Sequence, residues 1–212
     1  MVASGAARAV RRQRRVSLVM KYLAFDVESG GVTDDHSLLS VYFAVIDEDL
    51  KTLYGELDLL VKPDDGNYVV SAQALEVNKI DLISHDKIAI PESKAGTMLY
   101  NFLKLHAPDG TVKLTPLGHN IAFDVQFIKK HLVNKAFNQY VSYRMLDTSS
   151  IIQFLKLTGM VSRDLAGSLS EIAAHFGIST ITNVPHTAKG DTWMVIELLR
   201  KLRDQFSIET AL

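Results

Sequence analysis

Three runs of strand-forming residues, Tyr22–Glu28, Leu38–Ile46 and Leu53–Val61, follow one another with no helical segment between them. Parallel neighbours need a crossover of about a dozen residues or more, and the intervening segments are too short for one. The first is SGGVTDDHS, and the second carries the acidic turn DEDLK. The three runs are therefore expected to form an antiparallel meander, closed by the turn chemistry of Pro63-Asp64-Asp65-Gly66. After that the period of the apolar residues changes. Ser71–Asn78 and Ser93–His106 read as helices, the second with Met98, Leu99, Phe102, Leu103 and His106 on its apolar side. Leu114–Leu117 is a short buried strand, and Asn120 reads as the N-cap of a helix to about Val133. A strand around Tyr143–Leu146 leads to helices at Thr148–Leu157 and Ser168–Phe176, the latter stopped by Gly177. A last helix carries Val195, Ile196, Leu199, Leu202 and Phe206 at helical spacing. The pattern predicts one α/β domain, a five-stranded mixed sheet flanked by helices.

The 212 residues suffice for such a core without covalent staples. The chain has no cysteine, which excludes a disulfide scaffold, thiolate metal sites and a cysteine nucleophile. No stretch approaches the about 18 apolar residues that span a bilayer, so no membrane partner is expected. Charge is unevenly distributed. Residues 1–20 hold Arg8, Arg11, Arg12, Arg14 and Arg15 and no acid; without them the rest of the chain, formally −1 overall, stands near −6. The segment reads as a disordered extension, with an organelle-targeting peptide or a basic nucleic-acid arm as competing readings. The globular unit is expected at 21–206 and a tail at 207–212, in a cytoplasmic or other intracellular protein.

The first strand ends in Asp26-Val27-Glu28. Residues i and i+2 of a strand share a face, so both carboxylates project together. Two acids closing an apolar strand are costly unless a cation lies between them, and oxygen-only ligands suit Mg²⁺ or Mn²⁺. Alone, this pattern is more often a solvated strand end. The second element is Gly118-His119-Asn120-Ile121-Ala122-Phe123-Asp124, a turn followed by a helix whose first turn carries Asp124. The helix dipole favours an acid there, but its apolar neighbours Phe123, Phe127 and Ile128 suggest an inward position. The third is Pro185-His186-Thr187-Ala188-Lys189-Gly190-Asp191. On one helix His186 and Asp191 would lie about 140° apart, so they converge more easily with His186 on the preceding loop. Gly190 in a helix costs about 1 kcal/mol against alanine, which points to close packing. Six other histidines make a simple surface histidine the competing reading. Of these, His119 is a turn residue beside the site, and the rest read as surface or helix-face groups.

Together and in this order, the three elements resemble the exonuclease motifs of the DEDDh 3′–5′ exonucleases, which include polymerase proofreading subunits, ribonuclease T and oligoribonuclease. The resemblance covers about Tyr22–Leu202, with further echoes at Ala74–Ile80, Leu146-Asp147-Thr148 and Ser168-Leu169. It implies a ribonuclease-H-like fold, metal ligands at Asp26, Glu28, Asp124 and Asp191, and His186 as general base. It also implies two divalent cations, Mg²⁺ or alternatively Mn²⁺, and release of 5′-mononucleotides. The chain departs from the common pattern at Ser29-Gly30-Gly31, where many members carry Thr-Thr or Thr-Gly, in the insertion through His36, and at Lys189-Gly190. Phe25, Phe123, Asn120 and the backbone at Val27, Ser29 and Gly30 are candidates for holding the terminal nucleotides, with hydrophobic core the competing reading for both aromatics. Expected partners are 3′ ends of single-stranded DNA or RNA, and a DNA polymerase in replication or repair. Single-stranded DNA is the first reading. The alternatives are an exoribonuclease acting on RNA or short oligoribonucleotides, and a non-catalytic, polymerase-associated binding module.

Overall fold

The computed structural model describes residues 20–132, 134–179, 184 and 186–206. The segments expected as a basic extension and a C-terminal tail lie outside the described residues, Met20 excepted. The meander is present: β1 (Lys21–Ser29) pairs antiparallel with β2 (Leu38–Asp47), and β2 with β3 (Leu53–Lys62). The β2–β3 turn is closed by the Leu50 N–H donating to the Asp47 carbonyl, with Leu50 at φ 57°. On its other side β1 pairs parallel with β5 (Thr115–Gly118), but only from Tyr22 to Ala24. β5 in turn pairs with β6 (Leu146–Asp147).

The sheet has six strands rather than the expected five, in the order β4-β3-β2-β1-β5-β6. The additional strand, β4 (Ile90–Pro91), is two residues long and pairs parallel with Val61 and Lys62 at the edge of the sheet. No periodicity announces so short a pairing, and proline is tolerated there because an edge strand can dispense with one N–H. β6 lies further along the chain than the Tyr143–Leu146 reading, and Tyr143 is exposed.

Alternation along β1 sorts the two cores. Leu23, Phe25 and Val27 face α3 (Glu92–His106), α4 (Ala122–His131) and α5 (Asn134–Tyr140). Ala24 joins Tyr42, Ala44 and Ile46 beneath α6 (Thr148–Leu157), α7 (Leu169–His175) and α8 (Ala188–Phe206). β2 is buried from Leu38 to Ile46, as a strand covered on both faces must be. The sheet's even face therefore carries Asp26 and Glu28 toward α8, which packs across β1 and β2.

Two short helices complete the fold, α1 (Ala72–Asn78), capped by Ser71, and α2 (Leu82–Ile88), capped by Asp81. Neither α2 nor α5 is among the helices expected from the sequence, whereas α1 and α7, equally short, are. Gly177 stops α7 as expected, at φ 64°, with the Ile178 N–H reaching back to the Ala173 carbonyl. Asn120 is not the N-cap of α4. It turns the chain at φ 58° and its N–H donates to Asp147 Oδ1 at 2.7 Å, leaving Ile121 in the cap position without a side-chain bond. Asparagine tolerates the left-handed region, and the acceptor comes from the neighbouring strand instead. Among the described residues, no helix is long and apolar enough to cross a membrane.

Candidate active site

The strand's two-residue period and the start of α8 bring three acids together. One carboxylate oxygen from each of Asp26, Glu28 and Asp191 lies within 4.8 Å of the others. Asp124 approaches from α4 and is buried, its Oδ1 accepting the Val27 N–H at 3.0 Å. It is thus bonded to the one backbone group between the two strand acids.

The electrostatics are those of uncompensated negative charge. Burial raises the Asp26 carboxyl well above its ordinary value, and the neighbouring charges of Asp124, Asp191 and Glu28 add to it. Burial and then Asp191 push Glu28 up to about 8. Burial raises Asp124 too, against the downward pull of the Val27 N–H. Asp191 reaches about 6, raised by burial and restrained by His186. No lysine or arginine among the described residues contributes to any of these shifts. Four converging carboxylates without an ammonium or guanidinium partner are a hard-oxygen donor set, and a divalent cation fits them.

His186 is exposed and precedes α8, off the helix as its spacing from Asp191 requires. It sits at φ 58°, and its N–H donates to Asp191 Oδ1 at 3.3 Å. The turn is held tightly. Thr187 Oγ1 donates to the Val184 carbonyl at 2.7 Å and accepts the Gly190 N–H at 3.1 Å. A Cβ at Gly190 would stand 1.9 Å from the Val184 carbonyl oxygen, which gives the glycine its reason.

Beside Glu28 opens a cavity of about 250 Å³. Val27, Ser29 and Phe123 of the sequence-derived candidates line it, facing Gln73, Ala74 and Val77 of α1. Gly30 does not. Its N–H donates to Ser37, its carbonyl accepts from Ser71, and a Cβ there would meet the Val69 carbonyl oxygen at 2.4 Å. Asn120 is committed to the turn before α4. Phe25 is also misplaced as a nucleotide contact, because it is buried in the core and does not line the cavity, packing instead on Phe43 and Phe137 at 5.2 and 6.3 Å between centroids. Phe25→Ala should therefore cost about 3–5 kcal/mol in urea unfolding, the loss expected for a buried phenylalanine.

The wall that sequence reasoning missed is α1. Asn78 is buried, donates from Nδ2 to the Ser29 carbonyl at 3.1 Å and accepts the Ile80 N–H, fixing the chain just beyond Glu28. Its signal was the Ala74–Ile80 segment, visible as an echo but without a role. His85 and His131 are likewise not surface groups: His85 is buried against the Val61 carbonyl and His131 is half-buried beside Glu92. His119 bridges Thr148 and the Gly167 carbonyl.

No protein-family profile and no curated protein sequence matches the chain. Solved structures do. The chain is similar to E. coli exonuclease I in its zinc-bound complex with single-stranded DNA, with 15% identity, a TM-score of 0.72, and coverage of 89% of this chain and 41% of that one. It is similar to the same enzyme in complex with a 5cy-dT13 oligonucleotide, with 14% identity, a TM-score of 0.70, and coverage of 89% and 41%. The complex with a dA16 oligonucleotide gives 14% identity, a TM-score of 0.71, and coverage of 87% and 41%. The likeness is one of fold, and the chain spans about two fifths of the length of these structures.

Proposed function

We propose that the chain is a divalent-cation-dependent 3′–5′ exonuclease that shortens single-stranded DNA and releases 5′-mononucleotides. The observation that carries this reading is the convergence of Asp26, Glu28 and Asp191, with Asp124 bonded to the backbone between the first two. The solved structures of similar fold that hold single-stranded DNA support the substrate class.

Asp26, Glu28, Asp124 and Asp191 would hold the cations, two Mg²⁺ in this reading. Bound there, they supply positive charge to the scissile phosphate and lower the pKa of a water. The chain's own groups do the rest. Asp124 fixes the end of β1 so that Asp26 and Glu28 keep one orientation. His186 takes the proton of the attacking water on a ring nitrogen, as water oxygen bonds to phosphorus and the bond from phosphorus to the 3′ oxygen breaks. The departing 3′ oxygen takes up a proton from solvent and becomes the 3′ hydroxyl of the shortened strand, and His186 returns its own proton to solvent. The cavity beside Glu28 receives the terminal nucleotide, with Phe123 and Val27 offering apolar contact.

The test is digestion of 5′-labelled DNA and RNA oligonucleotides with Mg²⁺, Mn²⁺ or EDTA. A ladder shortening from the 3′ end of DNA, abolished by EDTA, is the expected result. Faster loss of RNA would move the substrate to an exoribonuclease's. Unchanged oligonucleotides under every metal condition would leave a binding module. His186→Asn should lower kcat by about 10²–10⁴-fold, the worth of a general base. Protection by Mg²⁺ against thermal unfolding should persist in that variant, because the four carboxylates are intact.

A further inference from the structure

The loop between β1 and β2, residues 30–37, forms part of the cavity beside Glu28 through Gly31 and Val32. It is anchored from two sides. The Gly30 N–H closes the loop on the Ser37 carbonyl; toward residues 69–71, the Ser37 N–H donates to the Val69 carbonyl, the Val69 N–H to Ser37 Oγ, and the Ser71 N–H to the Gly30 carbonyl. Toward α4, His131 Nε2 lies 3.0 Å from the Asp34 carbonyl oxygen while Nδ1 lies 2.8 Å from Glu92 Oε1 on α3. A carbonyl and a carboxylate both accept. A neutral imidazole has one N–H, so only the imidazolium satisfies both contacts. The ring stacks on Phe127, with centroids 5.7 Å apart, and is largely shielded from water.

We propose that His131, as an imidazolium, is a positioning residue that latches the 30–37 loop to α3 and α4, keeping one wall of the cavity in place for the 3′-terminal nucleotide. The role in substrate binding rests on the nuclease reading above; the latch itself does not. The charged groups around the ring are Glu92 from α3, Asp34, Asp35 and His36 from the loop, and Lys130 from its own helix. Burial alone would lower the ring's pKa. The Glu92 carboxylate and the Asp34 carbonyl outweigh it and hold the value above that of an ordinary histidine. The latch is therefore fully present in mild acid and is lost as pH rises through the raised value. Lys130, paired with Asp34 and Asp35, keeps a weaker hold on the exposed side of the loop.

Hydrogen exchange of the full-length protein measures the latch directly. In His131→Gln, the Gly30 and Ser37 amides should exchange about tenfold faster near pH 7, the loss expected for one charged hydrogen bond. Glu92→Gln should give an intermediate gain. The parent should lose the same protection as pH rises above the ordinary histidine range, after correction for intrinsic exchange, while His131→Gln no longer responds. On a 5′-labelled oligonucleotide, His131→Gln should raise KM about tenfold and leave kcat within about threefold. Unchanged exchange in both variants overturns the latch, and faster exchange with unchanged KM overturns its role in substrate positioning. If the parent hydrolyses nothing, the nuclease reading fails, and the exchange comparison still decides the latch.

Discussion

Asp26→Asn should stop hydrolysis and, in the same molecule, stabilise the cation-free fold. The two effects share one cause. Asp26 is raised by burial and by three neighbouring carboxylates, so its charge opposes folding whenever no cation offsets it. The sign follows from linkage. A group whose folded pKa lies above its unfolded value contributes stability in acid that is lost as pH rises through the folded value. With Asp191 at about 6 and Glu28 at about 8, against ordinary carboxylate values of about 4, the cation-free protein should lose stability from about pH 4 to about pH 8. Asparagine keeps the shape and removes one charge. At about pH 8 in EDTA the variant should melt about 2–4 °C higher than the parent for each kcal/mol of repulsion relieved. Its activity with Mg²⁺ should fall more than about 100-fold, beyond the loss typical of a residue that only supports a ligand. Thermal melts in EDTA across pH, beside an oligonucleotide assay, read both. A variant less stable than the parent at pH 8 would mean that the cluster is already neutralised by groups of the protein.

Gly190→Ala should cost far more in activity than in stability. Alanine in a helix interior gains about 1 kcal/mol over glycine. Here its Cβ would stand 1.9 Å from the Val184 carbonyl oxygen and 2.7 Å from Thr187 Oγ1, and overpacking of that kind costs about 1–3 kcal/mol. Because the clash is with backbone, its cost outweighs the helix gain and the melting temperature should fall by a few degrees. The strain, however, is relieved by pushing out the turn that carries His186. A displacement near 1 Å at a reacting group costs about 100-fold, and kcat should fall by that order. In a His186→Asn background the same substitution should add little, because the group it misplaces is already gone. A full additional loss in the double variant would locate the damage in Asp191 instead.

The site was legible in the sequence where it follows from local geometry. Strand alternation puts Asp26 and Glu28 on one face, and the five-residue offset places His186 off the helix that begins at Ala188. What escaped depends on contacts distant in sequence. α1 became a wall because Asn78 reaches the Ser29 carbonyl 49 residues away. His131 read as a helix-face group until Glu92 and Asp34 were seen on either side of it. Phe25 could not be told from a nucleotide contact by composition, and alternation does not help, because Val27 shares its face and does line the cavity; what removes Phe25 is its burial among Phe43 and Phe137. β4, two residues long, carries too few residues for any period to show, and Asn120 took a left-handed turn because a carboxylate from β6 supplied the acceptor.

β5 leaves β1 after Ala24, while the antiparallel pairing with β2 runs on to Ser29. From that point β1 is bordered by a strand on one side and by a seam on the other. The Val27 N–H faces the seam and finds Asp124 there. A side chain therefore plugs the gap where a strand would otherwise continue. Repair of the sheet and the placing of Asp124 against the strand acids rest on the same hydrogen bond, so a substitution that opens the seam also disturbs the acidic cluster.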